Sequence, residues 1–136
     1  MEDITVQEVF DYLKDAGAYF LATVEGDQPR VRPFGTQLIY DGKLYIQTSK
    51  LKPCSKQMAD NHKVELCAMK SDGTWLRLAA TAVNDDTVAV KQAMLDEHPQ
   101  LKSMYTAEDP NTQVLYLKDA TATFSSFGGD PKVVTF

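Results

Sequence analysis

The sequence predicts an α+β fold built on an antiparallel, barrel-like sheet. Three observations lead there. Turn signals recur at Gly26-Asp27, Asp41-Gly42 and Asp72-Gly73, each between apolar and β-branched runs that read as strands. Short helices join the hairpins instead of alternating with single strands, as a doubly wound sheet requires. No glycine-rich dinucleotide fingerprint or Walker-type loop is present.

Each element has its own justification. In TVQEVFDYLKDAG, Val6, Val9, Phe10 and Leu13 fall on one helical face, Thr5 and Glu8 fit a capping box, and Gly17 fits the stop. The following AYFLATVEGDQPRVRPFGTQLIYDGKLYIQTS reads as three strands. A short helix runs from about Pro53 to Asn61, with proline suited to its first turn. KVELCAMKSDGTWLRLAATAVND forms another hairpin, and Asn84-Asp85 offers a cap for the helix TVAVKQAMLDE. Pro99 opens a second short helix, PQLKSMY, and TQVLYLKDATATFSSFGGDPKVVTF supplies two or three closing strands around Gly128-Gly129. Without repeats or a linker, residues 1–136 read as one domain.

Composition narrows the function. The 136 residues are 43% hydrophobic and 24% charged, enough for a buried core in a soluble protein. A net charge of −5 argues against general nucleic-acid binding, which needs a broad basic surface. The longest apolar run, residues 18–24, is too short for a membrane span, and the first residues lack the basic and apolar regions of a signal peptide. Cys54 and Cys67 form neither a disulfide framework nor a zinc motif, so a reduced, cytoplasmic protein is expected. No metal site is expected from His62 and His98, two separated histidines, one at a helix end and one in a turn.

The charge is unevenly placed. Arg30, Arg32, Lys43, Lys50, Lys52 and Lys56 lie between residues 30 and 56 against Asp41 alone. In YIQTSKLKPCSKQMADN a strand meets a helix, whose N-terminal N–H groups and dipole favour a phosphate. Lys52 and Lys56 are four apart and would share a helical face there, with the hydroxyls of Thr48 and Ser49 leaving the strand toward the same place. The competing reading is a solvated lysine face. Cys54, beside this cluster, is either an activated thiol or a packing residue. In RVRPFG, Arg30 and Arg32 point the same way, and Pro33 implies an edge strand or a bulge. Such an edge offers backbone groups to a flat ligand, or is simply protected against aggregation. In WLRLAATAV, Leu76 and Leu78 face the core while Trp75 and Arg77 face outward, toward a ligand, a partner or plain solvent.

These stretches, taken in order, resemble the pyridoxamine 5′-phosphate oxidase-like FMN-binding split-barrel superfamily. More closely, they resemble its small single-domain branch grouped with the nitroimidazole-resistance proteins. The resemblance runs from the first helix through GDQPRVRPFG, DGKLYIQTS, KQMADN and DGTWLRL to GGDPKVVTF. It implies a six-stranded antiparallel split barrel and a homodimer with two FMN sites at the subunit interface. It assigns Arg32, Pro33 and Phe34, with Arg30 and Val31, to the strand that meets the phosphate and lines the flavin ring. Thr48 and Ser49 match the strand-end hydroxyls near the phosphate or ribityl chain, and Trp75 and Arg77 match a strand that approaches the other subunit's cofactor. The family's Ser-x-Lys is replaced by Lys52-Pro53-Cys54, so Lys52, or else Lys50 or Lys56, supplies the phosphate's charge. Ala79-Ala80 stand where relatives often carry a glycine. The implied function is an FMN-dependent oxidoreductase with NAD(P)H or another small reductant as donor. The alternatives are a non-catalytic flavin-binding module, or the same fold carrying haem or a deazaflavin. Pyridoxamine phosphate oxidation itself is not implied, because the substrate-binding C-terminal segment is not recognisable.

Overall fold

A computed structural model describes residues 2–136, with side chains from Thr5 onward. Helix α1 (Glu2–Ala16) buries Val6, Val9, Phe10 and Leu13 and stops at Gly17, whose φ of +86° favours glycine. It begins three residues before Thr5, so the expected capping box does not form.

The next stretch gives four strands rather than three: β1 (Tyr19–Glu25), β2 (Gln28–Phe34), β3 (Leu38–Tyr40) and β4 (Lys43–Ser49). The unexpected break at residues 35–37 has distant causes. The Tyr19 hydroxyl donates to the Thr36 carbonyl, and His98 Nε2 sits 3.1 Å from Gln37 N and 2.7 Å from Gln37 O. Tyr19 thus occupies the Thr36 carbonyl, and His98 Nε2, which accepts or donates according to tautomer, occupies one of the two Gln37 groups that a continuous strand would commit to its ladder. The two-residue turns are local and form as the sequence predicts. Asp41 and Gly42 have φ of +51° and +73°, a type I′ pairing that sets Tyr40 against Lys43.

Helix α2 (Pro53–Asp60) follows β4, and then β5 (Lys63–Met69) and β6 (Trp75–Asn84) form the expected hairpin. Helix α3 (Val88–Glu97) is capped at Thr87 rather than at Asn84-Asp85. Asp85 instead accepts hydrogen bonds from the Thr87 N–H and hydroxyl, an Asx-type turn just ahead of the helix. A 3₁₀ turn covers Pro99–Ser103, and β7 (Thr112–Ser125) and β8 (Lys132–Thr135) complete the sheet.

The sheet order is β2-β1-β5-β6-β7-β4-β3, all antiparallel, with β8 also on β7. The resemblance implied six strands; the eight observed include two short ones, β3 and β8. Laid flat, seven strands would put β2 and β3 about 29 Å apart. The chain from Phe34 to Leu38 reaches at most about 14 Å. The sheet must therefore curl until its ends approach, giving a barrel split between β2 and β3. Its interior holds Leu21, Leu44, Ile46, Leu66, Leu76 and Leu78 against α1. A second cluster, including Leu38, Tyr45, Met94 and Leu101, packs α3 and the 3₁₀ turn outside β3, β4 and β7. Strand β4 is thus buried on both faces.

Candidate functional site: a cleft between strand β2 and helix α2

The turn from β4 into α2 is tightly organised. Ser49 Oγ accepts the Leu51 N–H at 3.2 Å, and the Thr48 hydroxyl lies 3.4 Å from Cys54 Sγ. Both hydroxyls belong to buried residues. Lys52 is the N-cap, with extended backbone at φ −88° and ψ 146°. It therefore stands outside the helix, and the shared helical face expected for Lys52 and Lys56 does not form.

The two lysines line different cavities. A cleft of about 480 Å³ is walled by Arg30, Val31 and Arg32 of β2 and by Lys52, Cys54 and Gln57 of α2 and its cap. Lys50 and Lys56 line a separate cavity on another side of α2. Each is ion-paired, Lys50 with Asp86 at 2.8 Å and Lys56 with Asp60 at 2.9 Å. Lys52 has no such carboxylate partner among the described residues.

Arg32 is held at the heart of the cleft. Its guanidinium donates to Gln57 Oε1 at 2.7 Å and to the Leu21 carbonyl at 3.1 Å. The buried Thr23 hydroxyl donates to the same Gln57 oxygen. Two of five guanidinium N–H donors are thus used in positioning, and the rest remain for a ligand. Arg30 sits on the rim in an exposed pair with Glu25 at 2.8 Å, so its charge is largely matched. Gln57 and Thr23 escape a search for charge or motif. Their one signal is a polar residue, Gln57, on the helix face that also buries Cys54 and Met58.

Strand β2 ends the sheet and, among the described residues, pairs only with β1. Pro29 and Pro33 share the parity of Val31. Prolines are tolerated in a strand where the missing N–H would face the open edge. The odd positions thus turn their backbone outward, and Val31 supplies the N–H between two prolines. Phe34 turns instead toward Tyr19, ring centroids 6.0 Å apart, and packs on the core.

Trp75 and Arg77 line neither cavity. They stand on the outer face of β6, with Trp75 against the exposed Phe127 at 5.1 Å between centroids. Register places Phe20, Cys67, Arg77, Thr123 and Val133 in one row across β1, β5, β6, β7 and β8. Burial raises the Cys67 thiol pKa, and the neighbouring Arg77 charge only partly offsets it. Cys54 is buried beside Thr48 and is a packing residue here.

The chain is a split barrel with a cleft lined by Arg30, Arg32 and Lys52 at its open edge strand. The chain is 42% identical to a solved NimC/NimA family protein from Clostridium acetobutylicum, at TM-score 0.95, covering 98% of this chain and 94% of that one. It therefore belongs to the NimC/NimA family. A pyridoxamine 5′-phosphate oxidase-related, FMN-binding protein from Nostoc punctiforme shares the fold at TM-score 0.64 and 14% identity, with 97% and 94% covered. So does a haem-binding protein from Mycobacterium smegmatis, at TM-score 0.67 and 14% identity, with 91% and 57% covered. No protein-family model matches the chain, and no curated protein does. No helix among the described residues is long and apolar enough to cross a membrane.

Proposed function

We propose that the protein is an FMN-binding oxidoreductase that passes electrons or hydride to a small molecule, with NAD(P)H or a similar reductant as donor. The observation carrying this reading is the Arg32–Gln57 pair beside Lys52, which pairs with no carboxylate among the described residues, at the start of α2 and against the open edge of β2. The donor set fits a phosphate monoester, which carries roughly −1.5 to −2 charges at neutral pH. Arg32 offers a planar fork already fixed by Gln57, and Lys52 offers a second, mobile charge. The Val31 N–H and the neighbouring carbonyls suit the edge of a flat heterocycle. When bound, FMN supplies redox chemistry that no side chain here provides.

The residues of this chain bind, orient and shield. A second copy, seated on the outer sheet face around Phe20, Val31, Met69 and Trp75, would bury apolar side chains that are now exposed or half-exposed. It would also bring its own Trp75 and Arg77 toward the flavin and exclude water from it. A reduced cytoplasm, expected from the free cysteines Cys54 and Cys67, remains part of this reading.

Purified protein is expected to show the two-band visible spectrum of an oxidised flavin, and NAD(P)H is expected to bleach it anaerobically. A colourless protein that leaves added FMN unquenched would sink the reading. The spectrum also separates the alternatives. A Soret band would favour haem, for which His62 retains a free Nε2 because Nδ1 bonds the Met58 carbonyl. A single band blue-shifted from flavin would mark a deazaflavin. A bound flavin that no donor reduces and no acceptor reoxidises would mark a non-catalytic module.

A further inference from the structure

The cavity lined by Lys50 and Lys56 lies apart from the β2–α2 cleft. It measures about 530 Å³ and sits between α2, the end of β6 and the start of β7. Its walls are mostly apolar, from Met58, Ala59, Ala82, Val83 and Leu115.

Two features point to a ligand. Gln113, only 6% exposed, lines the cavity; its Nε2 donates to Asn84 Oδ1 at 2.7 Å, while its Oε1 has no partner among the described residues. A buried carbonyl without a donor is costly, so such groups usually have a partner. The charges at the mouth are also of one sign. Lys50 and Lys56 line it, and no carboxylate among the described residues does. The lysines' partners, Asp86 and Asp60, lie outside the lining, and exposed pairs of that kind exchange cheaply.

We propose that this cavity is a second binding site, which takes a small aromatic or heteroaromatic acid carrying an N–H or O–H donor. The aromatic body lies on the apolar walls, the donor meets Gln113 Oε1, and the acid group meets Lys50 and Lys56. This site is independent of the flavin reading, since none of the β2 residues takes part.

Indole-3-acetate combines the three features and serves as the calorimetric probe, titrated into the full chain. One saturable site per chain is expected. Methylating the indole nitrogen, or replacing the carboxylate by a carboxamide, is expected to weaken binding about tenfold each. In Gln113→Leu the methylation penalty should vanish, and in Lys50→Gln/Lys56→Gln the carboxylate preference should vanish. Ala59→Trp, at an exposed helix position facing the cavity, should abolish binding while FMN titration and the melting temperature stay unchanged. That variant decides the matter even if Gln113→Leu fails to fold. No saturable heat into the millimolar range, equal affinity in Ala59→Trp, or an unchanged analogue ratio in a folded Gln113→Leu would each overturn the proposal. The last result would mean that water alone satisfies Gln113.

Discussion

Arg32 and Gln57 constrain one another, and most of the cleft's selectivity is expected to follow from that pair. A charge-assisted hydrogen bond to a phosphate contributes about 1.5–3 kcal/mol. Arg32→Ala should therefore weaken FMN roughly 10- to 150-fold, as read by flavin-fluorescence quenching. Lys52→Ala should cost less, since Lys52 is exposed and its charge is screened. Gln57→Leu tests positioning separately. It removes no positive charge but frees the guanidinium, so affinity should fall while its dependence on salt is preserved. Wild-type affinity in both Arg32→Ala and Lys52→Ala would displace the phosphate from this cleft. The charges were legible in the sequence because type and position alone reveal them. Gln57 and Thr23 were not, because their role depends on a buried contact across 34 residues.

At the scale of elements, the entry to α3 carries a pH-sensitive contact. The Thr87 hydroxyl is the first cause holding Asp85 below the ordinary carboxylate pKa, opposed by partial burial. The Tyr45 hydroxyl donates to the same carboxylate at 2.9 Å. A depressed folded pKa means that the ionised form stabilises the fold. That contribution is complete above the unfolded value of about 4 and is lost as pH falls through the lower folded value. Carboxyl NMR titration should place Asp85 below the usual range, and Thr87→Val should move it upward. An unmoved midpoint in Thr87→Val would assign the shift elsewhere. The same turn shows why boundaries were harder to read than elements. Asn84-Asp85 has good capping chemistry, but Asn84 closes β6 and Asp85 turns to Thr87 and Tyr45. Likewise, Lys52 and Lys56 share a face only if the helix already includes Lys52, and Pro53 begins it one residue later. The Asp41-Gly42 hairpin needed no such context, because its backbone requirement is local.

For the whole molecule, the outer sheet face sets the expected assembly. Phe20, Val31 and Met69 are 51%, 68% and 59% exposed in the single chain, an apolar patch of the kind that marks contact sites. Phe20→Asp with Met69→Asp should convert a dimer to a monomer in sedimentation velocity, and FMN affinity should fall with it. A wild-type protein that sediments as a monomer at all concentrations would remove the interface from the functional reading. The barrel's closure was only partly legible. Hairpins announce antiparallel pairing, but the three-residue passage from β2 to β3 draws the sheet's ends together through contacts from Tyr19 and His98. Those partners lie 17 and 61 residues away from it in the sequence.

Strand β7 has a consequence for the order of events during synthesis. Among the described strands it alone joins the β2-β1-β5-β6 half of the sheet to the β4-β3 hairpin, pairing with β6 on one side and β4 on the other. Until residues 112–125 emerge from the ribosome, β4 and β6 each present an unpaired edge and the barrel cannot close. Hairpins can form early, but the cooperative transition waits on this late segment and its long-range contacts, which places folding among the slower topologies. A nascent chain stalled before Thr112 should therefore be protease-sensitive and prone to strand-edge association, and one stalled after the whole of β7 has cleared the exit tunnel should not.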